Sequence, residues 1–469
     1  MDGTLNKDEA AVLLTLADHI VNFDTEAIPQ NSLHTVKAGI TDTIGVTLAG
    51  ILEECSQIML DISGVADSPG PCLIIGSNRW VSALDATLVN GVASHALDFD
   101  DFSDVLGGHQ SVPLVPVLFA LAQQYKLSGR NIIDAYIVGF EVEHRFARAV
   151  HPHHYDKGWH PTATLGIFGT VAAAARLLIL DREKTATALA IASSMAAGIK
   201  ANFGTMTKPL HIGHSGRSGL LAVLLAMRGF TANQASIEHH QGFLNLFNGA
   251  GTFNTDSLIG DWCEALAVEL PTIGIKQFPC CGSTHQAITA MINLRHDNDV
   301  AINDVESVVI HTHPRRFMHT DNPYPNSVLE AKFSLQYTVV RALIDGAVRL
   351  KDFKDGAFHQ PDVRRLLSIT KAIPFGNSGA PEGEPWDAQI NVTLKNGKVL
   401  QSCVFNMVGR SGDNAMTVPE LQDKFDDCAS SVLSVTQQRT AFKQLMALES
   451  LEDISPLMKN LEVACAVGA

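Results

Sequence analysis

VESVVIHTH, residues 305–313, alternates its side chains at the two-residue period of a β-strand. It breaks a chain whose earlier part repeats apolar residues every three or four positions. From residue 8 to about 265, the stretches DEAAVLLTLADHIVNF, TVKAGITDTIGVTLAG, SGRNIIDAYIVGFEVEHRFARAV and TLGIFGTVAAAARLLIL all carry helical spacing. Asp181 and Thr231 stand where N-caps belong, ahead of REKTATALAIASS and ANQASIEHHQGFLNLF. Beyond the strand, DAQINVTL (387–394) and KVLQSCVF (398–405) flank Asn396-Gly397, a two-residue hairpin signal, with helical patterns at 330–346 and 361–369 in between. The reading is therefore a mainly α protein: an all-helical domain over 1–267, a smaller α/β domain over 268–410, and helices from 411–469 that return to the first domain.

Bulk composition agrees with a folded chain of more than one core. The 469 residues are 46% apolar and 18% charged, a globular balance, and the length exceeds what one ordinary core serves. Apolar runs such as TVAAAARLLIL stop well short of the roughly 18–20 residues that span a bilayer, so no membrane is expected. The acidic start MDGTLNKDEAA has neither a secretory nor a transit pattern, and the expected location is cytoplasmic. Eight scattered cysteines without a C-x-x-C pair, Cys280 and Cys281 adjacent, read as reduced thiols. A formal charge of −15 argues against a nucleic-acid partner and requires any anion site to be a local cluster of Lys, Arg and His.

DFDDFSDVLGGH, residues 98–109, is the densest polar stretch. An EF-hand loop started at Asp98 would put Phe102, Ser103 and His109 where an acid, a glycine and a bidentate glutamate belong, so calcium in that form is rejected. Asp100-Asp101-Phe102-Ser103-Asp104 fits DDxxD, but the required second magnesium segment is missing, since NDVESVVIH has His311 in place of its Glu. No GxxxxGK[ST], strand-borne GxGxxG or HExxH occurs, and the histidines of HPHHYDKGWH (151–160) lack zinc spacing. No cofactor and no metal are expected.

Acid/base chemistry remains, and it draws in three more segments. GWHPTATLG (158–166) places His160 before Pro161 at a helix start; TKPLHIGHSGRSG (207–219) places Lys208, His211, His214 and Arg217 in a Gly-rich helix entry. IKQFPCCGSTH (275–285) places Lys276 at the domain junction and Ser283, Thr284 and His285 at the next helix start. Helix N-termini attract anions. Taken singly, each residue has a plainer reading: a solvated lysine, a structurally satisfied histidine, an aspartate that caps a helix.

Together, VNGVASHALDFDD, GWHPTATLG, NFGTMTKPLHIGHSGRSG and IKQFPCCGSTH occur in an order and at a spacing that resemble the MmgE/PrpD family over nearly the whole chain. That family includes 2-methylcitrate dehydratase, cis-aconitate decarboxylase and iminodisuccinate epimerase. The resemblance implies a large helical domain made from both chain ends, an inserted α/β lid, a homodimer, and metal-independent chemistry on a small anionic carboxylate. It carries the active site onto Asp98, His109, His160, Lys208 and Lys276, with Arg217, Thr284 and His319 as substrate-binding residues.

Two departures accompany it. Phe102-Ser103 stands where DFDDTW or DFNDTW occurs in the family, removing a hydroxyl, and His319 stands where a tyrosine precedes a Pro-rich triplet, here Pro323-Tyr324-Pro325. The step from Asp98 to His109 and the strings WHPTATLG and GTMTKP are closer to the epimerase branch. The reading implied is dehydration of a 2-methylcitrate-like hydroxy acid, with Lys208 and Lys276 stabilising a carbanion, His160 as acid/base residue, and His109, oriented by Asp98, as its counterpart; the two histidine roles are interchangeable. Epimerisation of a dicarboxylate, decarboxylation of cis-aconitate, and a non-catalytic carboxylate-binding paralogue are the alternatives.

Overall fold

The computed structural model describes residues 11–24, 28–260, 262, 266–270, 273–354, 356–375, 388–405, 409 and 414–463; Asp387, the start of one expected strand, lies outside them. The chain forms two compact units, Met1–Ile275 with Thr417–Ala469, and Lys276–Met416.

The first unit is built mainly from helices that share a buried apolar core. Gln30–Gly50, Ala83–His95, Ser111–Tyr125, Gly129–Val150, Gly166–Leu177 and Thr207–Met227 are its long members. Ser128 starts one with a capping box, Asp181 starts Arg182–Ser193 by accepting the Lys184 amide, and Pro161 opens the short Pro161–Thr164 helix directly after His160.

Glycine decides how two of these helices meet. A Cβ on Gly91 would lie 2.8 Å from the Gly213 Cα, and one on Gly213 would lie 2.3 Å from the Leu88 carbonyl oxygen. Only two bare backbones fit there. Because Gly91 is four residues before the end of Ala83–His95 and Gly213 is six after the start of Thr207–Met227, the crossing brings His95 and Lys208 toward the same side.

Two corrections apply to this unit. No helix starts at Thr231: residues 231–242 form turns, and the Phe243 and Leu244 amides reach back to the Ser236 and Ile237 carbonyls. That closure needs Gly242, whose Cβ would meet the Ser236 oxygen at 2.5 Å, so a tight loop burying Ile237 and Phe243 wins over helical spacing. Nor is the region wholly helical, for Pro69–Leu73 pairs with Trp80–Val81, and Phe102–Ser103 pairs with Ile273–Gly274.

The second unit holds a four-stranded mixed sheet in the order Thr370–Pro374, Val305–Thr312, Ala388–Leu394, Val399–Val404. The Asn396-Gly397 hairpin forms as its letters indicate, with Gly397 at φ +83° and the last two strands antiparallel. Thr370–Pro374 runs parallel to Val305–Thr312 and was not legible beforehand. Helices His285–Asp297, Leu335–Asp345 and Pro361–Leu367 contribute to a core with Val308, Ile310, Ile390 and Val392.

Among the described residues, no single helix is long and apolar enough to cross a membrane. Among the described residues, Cys55, Cys72, Cys280 and Cys428 are free thiols.

Candidate functional site

Four of the residues singled out in the sequence meet inside the first unit. The Ala83–His95 helix ends, and Asp98 follows with φ +54°, a left-handed conformation that short polar side chains tolerate better than most. Its carboxylate then faces the first turn of Thr207–Met227, where Lys208 Nζ lies 2.7 Å from Asp98 Oδ1. His109 Nε2 lies 3.4 Å from the same oxygen. Both the lysine and the imidazole are mostly shielded, while the Asp98 carboxylate keeps about a third of its surface open to solvent.

A second carboxylate, Asp100, is fully buried beneath them. His95 Nδ1 bonds to Asp100 Oδ2 at 2.8 Å, and His109 Nδ1 lies 2.9 Å from that oxygen. Burial alone would raise the Asp100 carboxyl; the His109 and His95 imidazoles outweigh it and hold the group well below the usual carboxylate range. His95 responds in the opposite sense: burial drives it down to about 4 against the pull of Asp100.

His160 completes the group as the N-cap of Pro161–Thr164, its ring 5.7 Å from His95 and edge-on to Phe203. Its Nδ1 lies 3.1 Å from His211 Nδ1, so one ring donates and the other accepts. Burial first, then the neighbouring His95, Lys208, His109 and His211, push His160 well below the ordinary histidine range. It is a neutral imidazole at pH 7.

Around the cluster, Asp101 accepts from the Gln110 side chain at 2.9 Å and from the Ser111 amide at 3.3 Å, so it supports the start of Ser111–Tyr125. The Ser111 hydroxyl joins Asp101 to the Tyr136 phenol.

Arg217 lies further along the Thr207–Met227 helix, and Lys276, Thr284 and His319 belong to the second unit. Arg217 is on the exposed side of Thr207–Met227, nine residues or about 13 Å along the axis from Lys208. Lys276, buried, opens the second unit. In that unit Thr284 is the buried N-cap of His285–Asp297, bonded to the Cys281 carbonyl, and His319 bonds to the Ser283 hydroxyl at 2.9 Å. His95 is the site member that sequence reasoning left unassigned, and Asp100 is one of the aspartates expected there only to support or cap. His95 stood in one of the quoted strings, but a histidine at a helix end carries no letter pattern that marks it as a partner for an aspartate five residues on.

His95, Asp98, Asp100 and His109 bring one ligand atom each within 4.8 Å of one another, a donor set that a divalent cation accepts in composition. The Lys208 ammonium, 2.7 Å from Asp98 Oδ1, is already the cation of that carboxylate, and a metal bound there would sit against it. The donor set therefore does not fit a resident ion. Chemically, the group offers a shielded ammonium, a histidine flanked by two carboxylates, and a neutral histidine.

Comparison with known proteins adds the following. The model of the MmgE/PrpD N-terminal domain matches residues 14–256, and that of the MmgE/PrpD C-terminal domain matches 278–449. The chain is 30% identical to the cis-aconitate decarboxylase of Homo sapiens over 91% of its own length and 89% of the relative's. It is 28% identical to that of Mus musculus over 94% and 91%, and 26% identical to that of Aspergillus terreus over 94% of each.

Proposed function

From the premise that this chain belongs to the MmgE/PrpD family, we propose that it is a carboxy-lyase that removes carbon dioxide from an unsaturated tricarboxylate of the cis-aconitate type. The observation that carries this is the set of relatives from two mammals and a fungus, matched over nine-tenths or more of this chain and each named cis-aconitate decarboxylase. They favour decarboxylation over the dehydration of a citrate-like hydroxy acid expected from the sequence.

The site chemistry is compatible with that choice. Dehydration and epimerisation begin with proton removal, which needs a base whose pKa lies near the working pH. His160, the expected base, is held well below that range by burial. Decarboxylation needs no base. When the carboxylate leaves the CH2 carbon of cis-aconitate, its electron pair forms a new C=C bond, and the old double bond's electrons move to the carbon beside a second carboxylate. That carbon must then be protonated. A preorganised ammonium next to the growing charge lowers the barrier, and Lys208, shielded by its surroundings, is suited to this. His109, between Asp98 and Asp100, is the proposed proton donor; this reassigns the role first given to His160, whose part becomes that of a neutral wall and hydrogen-bonding group.

The test is cis-aconitate turned over in heavy water. The expected products are carbon dioxide in equal amount and a dicarboxylate one carbon shorter, with one deuterium at the new CH2. His109→Gln should lose on the order of 10²- to 10⁴-fold in rate and His160→Gln less. A hydroxy-tricarboxylate dehydrated without release of carbon dioxide, with cis-aconitate left untouched, overturns the proposal. The reverse ranking of the two variants would make His160 the donor.

A further inference from the structure

Lys424 is a buried cation far from the cluster in sequence. It lies on the Val418–Ala429 helix among Leu421, Phe425 and Cys428, and only 3% of its side chain is exposed. Its ammonium makes three contacts: an ion pair with Asp42 Oδ1 at 2.5 Å, a hydrogen bond to the Phe99 carbonyl at 2.8 Å, and a position 3.9 Å from the Phe99 ring centroid. Phe99 is the residue between Asp98 and Asp100. Asp42, on the Gln30–Gly50 helix, also feels the Asp101 backbone amide and the Asp100 charge.

Burying such a pair is costly, and apolar residues of similar volume often serve stability as well or better. A helix surface that needed only packing would not require an ammonium at this position. What it gains is a donor aimed at one backbone carbonyl. Resting on the reading of the Asp98, Asp100 and His109 cluster as the site of decarboxylation, the geometry points to Lys424 as a positioning residue: paired with Asp42, it fixes the backbone between the carboxylate that holds Lys208 and the carboxylate that holds His95 and His109.

The test uses the full chain and the double variant Asp42→Asn/Lys424→Met, which removes both charges at once and leaves none buried alone. Lys424→Arg is the conservative variant, and Phe425→Leu, on the same helix, is a control for lost packing. Two readouts are taken: hydrogen exchange of the backbone peptide spanning residues 96–104, which needs no substrate, and kcat and KM on cis-aconitate.

The double variant should keep the wild-type circular dichroism, exchange faster in that peptide, and lose on the order of tenfold to a hundredfold in kcat with little change in KM, as displaced reacting groups do. Lys424→Arg should recover part of both. Phe425→Leu should lower the melting temperature without changing either readout.

Wild-type exchange and wild-type kcat in the double variant overturn the proposal. If that variant does not fold, Asp42→Asn decides, since it removes the ion pair that holds the ammonium: unchanged exchange and kcat would again overturn the proposal. Failure of the wild type to consume cis-aconitate would sink the functional reading instead, and the exchange arm would still decide the role of Lys424.

Discussion

Lys208 and Arg217 share a helix but not an environment. Lys208 is largely shielded and paired with Asp98, whereas Arg217 stands about 13 Å further along, in solvent. Lys208→Ala is expected to cost on the order of a hundredfold in kcat/KM, the usual loss for a preorganised donor, and Arg217→Ala to stay near wild type. Steady-state kinetics on both variants checks this, and equal losses would place Arg217 in the site. The same ion pair sets a second expectation. With Lys208 already on Asp98, exhaustive chelation should leave the rate unchanged, and activity lost with EDTA and restored by a divalent ion would contradict it. His160 and Lys208 could be picked from the letters as polar groups at helix entries, and Asp98 and His109 followed from the family resemblance. His95 could not be assigned and Asp100 could be read only as a supporting or capping acid, because their meaning comes from burial beneath those groups, and burial has no letter.

The elements show the same division between local and distant information. The Asn396-Gly397 hairpin, the Val305–Thr312 strand and the helix start at Asp181 were legible because each depends on chemistry within a few residues. The Thr370–Pro374 strand was hidden: five residues long, ending in proline, at a sheet edge, it pairs in parallel with a strand some sixty residues earlier, so no turn announces it. The Gly91–Gly213 crossing was equally silent, since two glycines in separate helices become a contact only in three dimensions. Gly213→Ala should therefore destabilise by about 1–3 kcal/mol, the cost of overpacking against a carbonyl that cannot move aside, and should also lower kcat by pushing Lys208 away from Asp98. Thermal unfolding with parallel kinetics tests both parts; an alanine accepted without loss of either would mean that the helices have slack there.

On the scale of the whole molecule, several histidines are buried as neutral groups. Burial drives His95 and His144 down to about 4 and His154 to about 3, and all three lie in the first unit. An unfolded chain takes up protons at these positions below its ordinary 6.5, while the folded one does not until the lower values are reached. Stability is thus complete above about pH 6.5 and lost as pH falls toward 4, by about 3 kcal/mol for His95 alone. Asp42, raised by burial to about 6, acts the other way between 3.8 and 6 and offsets part of it. Urea midpoints should fall steadily from about pH 7 to about pH 4; a flat or rising profile would show that the acid groups dominate. One feature of the first unit also bears on how the protein comes into being. Asp42 is made early and Lys424 only after the entire second unit has been translated, so the nascent helices must wait with an unneutralised carboxylate where the Phe99 segment will settle. The Phe99 segment therefore gains its cation only after the second unit has been translated, and a ribosome-stalled chain ending before residue 417 would hold the histidines and lack Lys424.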